Sequence, residues 1–354
     1  MARVRRTSGP LDLRAQAILR AVIEEYVNTA APVASQTLVE RYPLGVSSAT
    51  VRNILADLEA AGLLTHPHTS AGRVPTDAGY RYYVESIIDG GVPLPAVEQL
   101  MIRHQFGQVE FASEHWFRLA ATTLASLTHA AGIATPAKPR AAHLRRLDLV
   151  AINERVASLI LVLQEGSLKQ VLVALDEPAD QAALTVVANR LNERLAGRTA
   201  ASIRRELAAM EADETSEPLD RRVAERVAKT LEEFDQAAIE ELFSDGLLNV
   251  MAAPEFAQSD KLRRVFATLE NRAFLGELVD RVAASDQVHV FIGRENPAAE
   301  MSDVSLVLAP YGRPGRAVGV VGVLGPTRMA YPQAIGTVRF VSGLMDELLD
   351  HLYA

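Results

Sequence analysis

Residues 46–84 read VSSATVRNILADLEAAGLLTHPHTSAGRVPTDAGYRYYV, and the spacing inside this stretch decides the fold of the N-terminal region. Val51, Ile54, Leu55 and Leu58 fall on one face of a helix that opens at Ser47 or Ser48 and stops at Gly62. The next residues, LLTH and RVPT, have the length of two short paired strands, and the PHTSAG between them is made of turn residues, which predicts a hairpin. Thr76 is placed to cap a further helix, on which Tyr80, Tyr83, Val84 and Ile87 repeat the apolar stripe.

Upstream, residues 11–28 carry Leu19, Val22, Ile23, Tyr26 and Val27 at amphipathic-helix spacing. Pro32 follows, and Ser35 is placed to cap a short helix through Leu38 and Val39 to Tyr42, ended by the PLG of residues 43–45. Three short helices with a tight turn between the second and third, then a hairpin, form a winged helix-turn-helix over residues 1–90. DGGVPLP, 89–95, is the strongest domain boundary in the chain.

In a winged helix the third helix enters the major groove, where its solvent face meets base edges. At about 100° per residue, the face opposite Val51, Ile54, Leu55 and Leu58 centres on Ala49, Asn53 and Ala56, flanked by Thr50 and Arg52. Asn53 suits a bidentate contact to adenine, Ala49 a thymine methyl, and Arg52 a guanine or a phosphate. Ser47 and Ser48, at the helix N-terminus, suit a phosphate oxygen. At the hairpin tip Ser70, Ala71 and Gly72 permit close backbone approach, and Arg73 suits a minor groove or a phosphate. On an isolated amphipathic helix these polar residues would be only a cap and a solvated face; the preceding helix and turn favour DNA.

Charge agrees. The 354 residues carry a net charge of −8, but residues 1–89 hold 9 Arg and 9 Asp+Glu, leaving 27 basic and 35 acidic residues for the rest. Arg3, Arg5 and Arg6 make the extreme N-terminus basic. A neutral head on an acidic body suits a specific DNA binder rather than a nonspecific nucleic-acid coat. The absence of cysteine excludes disulfides, thiolate metal sites and a cysteine nucleophile, and leads us to expect a cytoplasmic protein. Pro10, Asp12 and Arg14 interrupt any apolar signal core, and VASLILVLQ, 156–164, is far short of the roughly 20 residues that span a bilayer.

Length and a hydrophobic content of 49% predict about two or three domains. Beyond residue 95 the pattern predicts helices over 96–106 and 110–131, then strands HLRRLDLVAI (143–152), VASLILVLQ and LKQVLVAL (168–175), the last two joined by the turn EGS. From about 179 to 249 the composition is Ala, Leu, Arg and Glu at helical spacing throughout. Strands return in QVHVFIG (287–293), DVSLVLAPY (303–311) and RAVGVVGVLG (316–325), and the chain closes with a helix bearing Phe340, Leu344, Leu348 and Leu349. The phosphate-cradling, nucleophile-elbow and HExxH fingerprints are missing. His66 and His68 share a strand face without a nearby third ligand. We therefore expect no catalytic residue, no cofactor and no metal.

The stretch 46–84, above all PHTSAGR with VPT and GYRYYV, together with VLGPTRMAYPQAI at 323–335, resembles the heat-inducible transcription repressor family HrcA. The resemblance implies an α+β multidomain protein: the winged helix, a GAF-like domain over 96–178 and 250–354, and a helical dimerisation domain, 179–249, inserted into it. It further implies repression of heat-shock chaperone operons by a homodimer on an inverted-repeat operator, with the GroEL chaperonin keeping the repressor active. Two-fold symmetry in the operator requires the same symmetry in the protein. The alternative is a winged-helix regulator controlled by a small molecule in the GAF-like domain.

Overall fold

The computed structural model describes residues 11–67, 72–88, 93–108, 113–137, 141–164, 166–213, 216–236, 242–256, 259–313 and 317–353. Helix α1 (Leu13–Thr29) is started by Asp12, whose carboxylate accepts the Ala15 amide at 2.7 Å, and it buries Ile18, Leu19, Val22 and Ile23. Helix α2 (Ser35–Arg41) begins after Ala34, which makes no side-chain cap bond, so the cap expected of Ser35 is not made. Ser35 lies one residue too late for that role, and its hydroxyl instead meets that of Ser48 at 3.3 Å. Helix α3 (Ser48–Ala60) is capped by Ser47 and buries Val51, Leu55 and Leu58 against α1 and α2, with Ile54 half-buried.

Strands β1 (Leu64–Thr65) and β2 (Val74–Pro75) pair antiparallel, Leu64 opposite Pro75, and a bridge from Val33 to Arg73 ties the hairpin base to the segment before α2. Helix α4 (Asp77–Ile88) starts at Thr76, whose hydroxyl accepts the Gly79 amide at 3.1 Å and donates to the Gly62 carbonyl at 2.7 Å. A Cβ added to Gly79 would stand 2.1 Å from the Leu63 carbonyl oxygen, so only glycine lets α4 rest on that turn. The Glu25 carboxylate is buried within this module and accepts Arg41 Nη1 at 2.6 Å and the Tyr42 hydroxyl at 3.4 Å.

Helices α5 (Ala96–Gly107) and α6 (Ser113–Thr128) lead into β3 (Ala131–Ala134). The helix expected to reach residue 131 therefore ends earlier. The AGIA of β3 is buried at all four positions, so no alternation marks it as a strand. After it the chain crosses to β4 (Leu144–Asn153), β5 (Val156–Leu163), β6 (Leu168–Ala174), α7 (Gln181–Leu195), α8 (Ala200–Ala212) and α9 (Pro218–Gln236). It returns through β7 (Phe243–Asp245), a strand within the stretch expected to be helical throughout. Three residues between helices leave no strand period to read. Next come α10 (Leu247–Met251), α11 (Ser259–Leu269), α12 (Arg272–Val282), β8 (His289–Ile292), β9 (Val304–Arg313), β10 (Ala317–Pro326) and α13 (Tyr331–Tyr353).

The chain forms two compact units, one of residues 1–136, 241–311 and 319–348, the other of 137–240 with the short segments 312–318 and 349–354. The first contains the N-terminal module and a five-stranded sheet ordered β7-β3-β10-β9-β8. Ile133, Leu306, Leu308, Val320 and Leu324 of this sheet pack with Val250, Phe256, Val265 and Leu278. In the second unit the antiparallel meander β4-β5-β6 turns Leu147, Leu149, Leu159 and Leu161 inward onto Leu184, Leu191, Ile203, Val227 and Leu231 of the three helices. The protein is thus a mixed α and β chain of more than one unit. Among the described residues no helix is long and apolar enough to cross a membrane.

Candidate nucleic-acid interface

With Val51, Leu55 and Leu58 buried, helix α3 presents Ala49, Arg52, Asn53, Ala56 and Asp57 to solvent. Ala49, Asn53 and Ala56 form the centre of that face and Arg52 its flank, in the order the helical period requires. Arg52 makes no ion pair with another described residue, which leaves its guanidinium available. Thr50 is half-buried at the rim and shares a hydrogen bond of 3.0 Å with Ser47 Oγ. Ser47 Oγ also accepts the Thr50 amide at 3.2 Å, while the amides of Ser48 and Ala49 precede the first intrahelical bond, which Val51 donates to the Ser47 carbonyl. This helix start therefore offers free N–H groups and the positive end of the helix dipole toward solvent. Ser48, half-buried, turns its hydroxyl toward α2 rather than outward.

The hairpin residues have different neighbours. Ser70 and Ala71, like Arg3, Arg5 and Arg6, lie outside the described residues. Gly72 approaches backbone closely, but the backbone is the protein's own: a Cβ there would sit 2.5 Å from the Val33 carbonyl carbon and oxygen. Arg73 exchanges two main-chain hydrogen bonds with Val33, at 2.8 and 2.9 Å, and its Nη2 meets Glu59 Oε2 at 2.7 Å. Glu59 Oε1 also takes His66 Nδ1, so one carboxylate in the last turn of α3 holds the chain just after β1 and just before β2. The Arg73 guanidinium is three-quarters enclosed, with Nε buried and unpaired.

The structure thus gathers Ser47, Ser48, Ala49, Thr50, Arg52 and Asn53 on α3 and places Gly72 and Arg73 at its other end, about 18 Å along the axis from Ser47 at 1.5 Å per residue. Glu59 and Asp57 were not among the residues the sequence pointed to. An acidic residue at the end of a candidate DNA-reading helix looks unfavourable until its basic partners are seen, and those lie 7 and 14 positions away along the chain. Asp57 remains an exposed negative charge beside Asn53 and limits how strongly this face attracts phosphate without sequence selection.

Comparison with known proteins shows the family. The model of the HrcA protein C-terminal domain matches residues 114–335. The heat-inducible transcription repressor HrcA of Roseiflexus castenholzii is 43% identical over 342 residues, 96% of this chain and 95% of that protein. That of Herpetosiphon aurantiacus is 43% identical over 347 residues, covering 97% and 96%, and that of Thermomicrobium roseum 40% over 345 residues, covering 98% and 97%. Among solved structures, a crystal structure described as a hypothetical protein at 2.2 Å resolution superimposes with a TM-score of 0.59 at 21% identity, covering 97% of this chain and 99% of that one, a likeness of fold. With near full-length relatives at these identities, the chain belongs to the heat-inducible transcription repressor HrcA family.

Proposed function

We propose that this heat-inducible transcription repressor acts in the cytoplasm as a homodimer that reads an inverted-repeat operator through two winged helices, one for each half-site. The observation that carries the reading is the outward face of α3, where Ala49, Arg52 and Asn53 stand exposed over the buried Val51, Leu55 and Leu58. Asn53, Arg52 and Thr50 read base edges, Ala49 a thymine methyl, and Ser47 with the main-chain amide of Ser48 holds the phosphate backbone at the helix start. Arg73 and Gly72 serve the interface by fixing the hairpin to Glu59 and to the Val33 backbone, and we assign Ser70 to contact with the DNA backbone.

The dimer has support in the second unit. The outer face of β4-β5-β6 carries Val150, Ile152, Leu168 and Leu172, all well exposed, with Ile160 and Val162 between them. An antiparallel sheet with one solvated face is mostly polar there, whereas here the uncharged polar pair Ser158 and Gln170, hydrogen-bonded at 2.9 Å, sits among these apolar residues. The charges on this face, Arg146 and Asp148, already pair with each other at 3.1 Å, so it is nearly neutral and can meet its own copy without repulsion. We assign dimerisation to the second unit, which holds helices α7, α8 and α9 of 179–249 together with this sheet face of 144–174, the five-stranded sheet and the helices packed on it to a GAF-like domain, and maintenance of the active form to the GroEL chaperonin, the last on the family resemblance alone.

Sedimentation velocity of the protein with a labelled inverted-repeat duplex tests the assembly. One dimer per duplex is expected, with the active fraction rising when chaperonin is added. Monomers bound independently to each half-site would refute it.

A further inference from the structure

The two most distinctive stretches of the sequence, GYRYYV at 79–84 and GPTRMAYP at 325–332, contribute nothing to the outward face of α3. They meet each other instead. Arg81 of α4 donates from Nε to Glu295 Oε1 at 2.9 Å, bonds Glu295 Oε2 through Nη2, and reaches the Val290 carbonyl with Nη2 at 2.5 Å. One turn earlier, Asp77 accepts the Arg294 amide at 3.2 Å. Tyr80 is buried with its ring centroid 5.7 Å from that of Tyr331, whose hydroxyl is fixed by Ser305 Oγ at 2.8 Å and the Thr327 carbonyl at 2.7 Å. Arg328 pairs with Glu255 and extends Nη1 to the Val27 carbonyl at 3.2 Å, an acceptor in the last turn of α1 that the helix leaves unpaired.

We infer that these contacts form a joint that orients the DNA-binding module on the five-stranded body, and that Arg81 and Arg328 are positioning residues for operator binding. The inference rests on the proposed reading of α3. Three features carry it. Each arginine bridges segments more than 200 residues apart in the chain. Among the described residues, ion pairs and main-chain hydrogen bonds stand beside the Tyr80–Tyr331 ring pair in this junction. The Tyr80 hydroxyl is buried in the joint without a hydrogen-bond partner. A junction that depends on a few partly exposed ion pairs has little stability to spare, so salt, which screens them, or the loss of one partner loosens it. None of these side chains lies on the outward face of α3, so the joint acts on where the module points and not on what it reads.

The test compares wild type, Arg81→Ala and the charge reversal Arg81→Glu with Glu295→Arg in the full chain. Binding to an inverted repeat and to a single half-site is measured, with hydrogen exchange over residues 290–296 and over Val51–Leu58. Arg81→Ala is expected to reduce the preference for the full repeat by roughly tenfold, since mis-set modules lose effective concentration at the second half-site. Half-site binding and protection of α3 should stay as in wild type while exchange over 290–296 quickens, and the charge reversal should recover most of both effects. Unchanged exchange over 290–296, or a parallel fall in half-site binding, would overturn the inference. Tyr80→Phe, which keeps the ring pair, should leave the preference intact, and its loss would also count against the joint. If wild type shows no preference for the full repeat, the proposed function fails, and the exchange measurement alone decides whether the joint holds the module.

Discussion

Glu59→Ala tests whether the hairpin is held by helix α3. Alanine is the better helix former, so α3 itself loses nothing in propensity. What disappears is the carboxylate that takes Arg73 Nη2 at 2.7 Å and His66 Nδ1. The pair is only one-quarter exposed, and Arg73 Nε already lacks a partner, so the substitution strands a largely enclosed guanidinium. The cost falls between that of a surface pair and that of a buried one, about 1–3 kcal/mol. It is borne by local opening of the hairpin base, where Val33 and Arg73 exchange two hydrogen bonds. In hydrogen exchange, the Val33 amide should lose protection by roughly 5- to 150-fold, at 1.4 kcal/mol per factor of ten, while amides of α1 at Val22 and Ile23 keep theirs. Unchanged protection at Val33 would refute the clamp. The salt dependence of DNA binding gives a second check. If Arg73 stays on Glu59 in the complex, Arg73→Ala leaves the slope of log K against log salt as in wild type; if Arg73 holds a phosphate, the slope changes by about 0.9.

Other outcomes follow from the same geometry. Asn53→Ala should weaken the operator about 5- to 150-fold, the loss of a bidentate contact worth roughly 1–3 kcal/mol, with scrambled DNA unaffected in the same anisotropy titration. Gly79→Ala would place a Cβ 2.1 Å from the Leu63 oxygen, so the N-terminal module should melt at lower temperature by calorimetry and lose operator binding with it. Leu172→Lys, on the outer face of β6, should shift the sedimentation profile from dimer to monomer at micromolar protein while leaving the circular dichroism spectrum unchanged. Arg41→Ala should destabilise the module by about 1–3 kcal/mol in urea unfolding, because Glu25 stays buried with only the long Tyr42 contact.

Much of this was legible in the sequence where a residue's role follows from its near neighbours. The apolar period of α3 fixed which face is buried and therefore that Ala49, Arg52 and Asn53 face out. Ser47 and Thr76 cap because a hydroxyl three residues ahead of an amide can reach it locally. The strands of the meander showed themselves by length and turn chemistry, but β3 and β7 did not, the first because AGIA is buried throughout and the second because three residues carry no period. Ser35 failed as a cap because a shift of one residue moves its hydroxyl from the helix start to Ser48. The meaning of Arg73 and Gly72 was beyond local reading. Arginine and glycine at a hairpin suggest DNA, and only the positions of Glu59 and Val33 show that their immediate partners are within the protein. The same holds for Arg81 and Glu295, whose pairing across the chain no spacing rule reveals.

Two copies of α3 are proposed to read two half-sites together. Fluorescence anisotropy of the purified full-length protein against an inverted-repeat operator, a single half-site and a scrambled duplex, at one fixed salt concentration and with chaperonin present, tests it most directly. The tightest binding is expected to the full repeat, weaker binding to the half-site and the weakest to the scrambled duplex. Equal affinity for all three would contradict it.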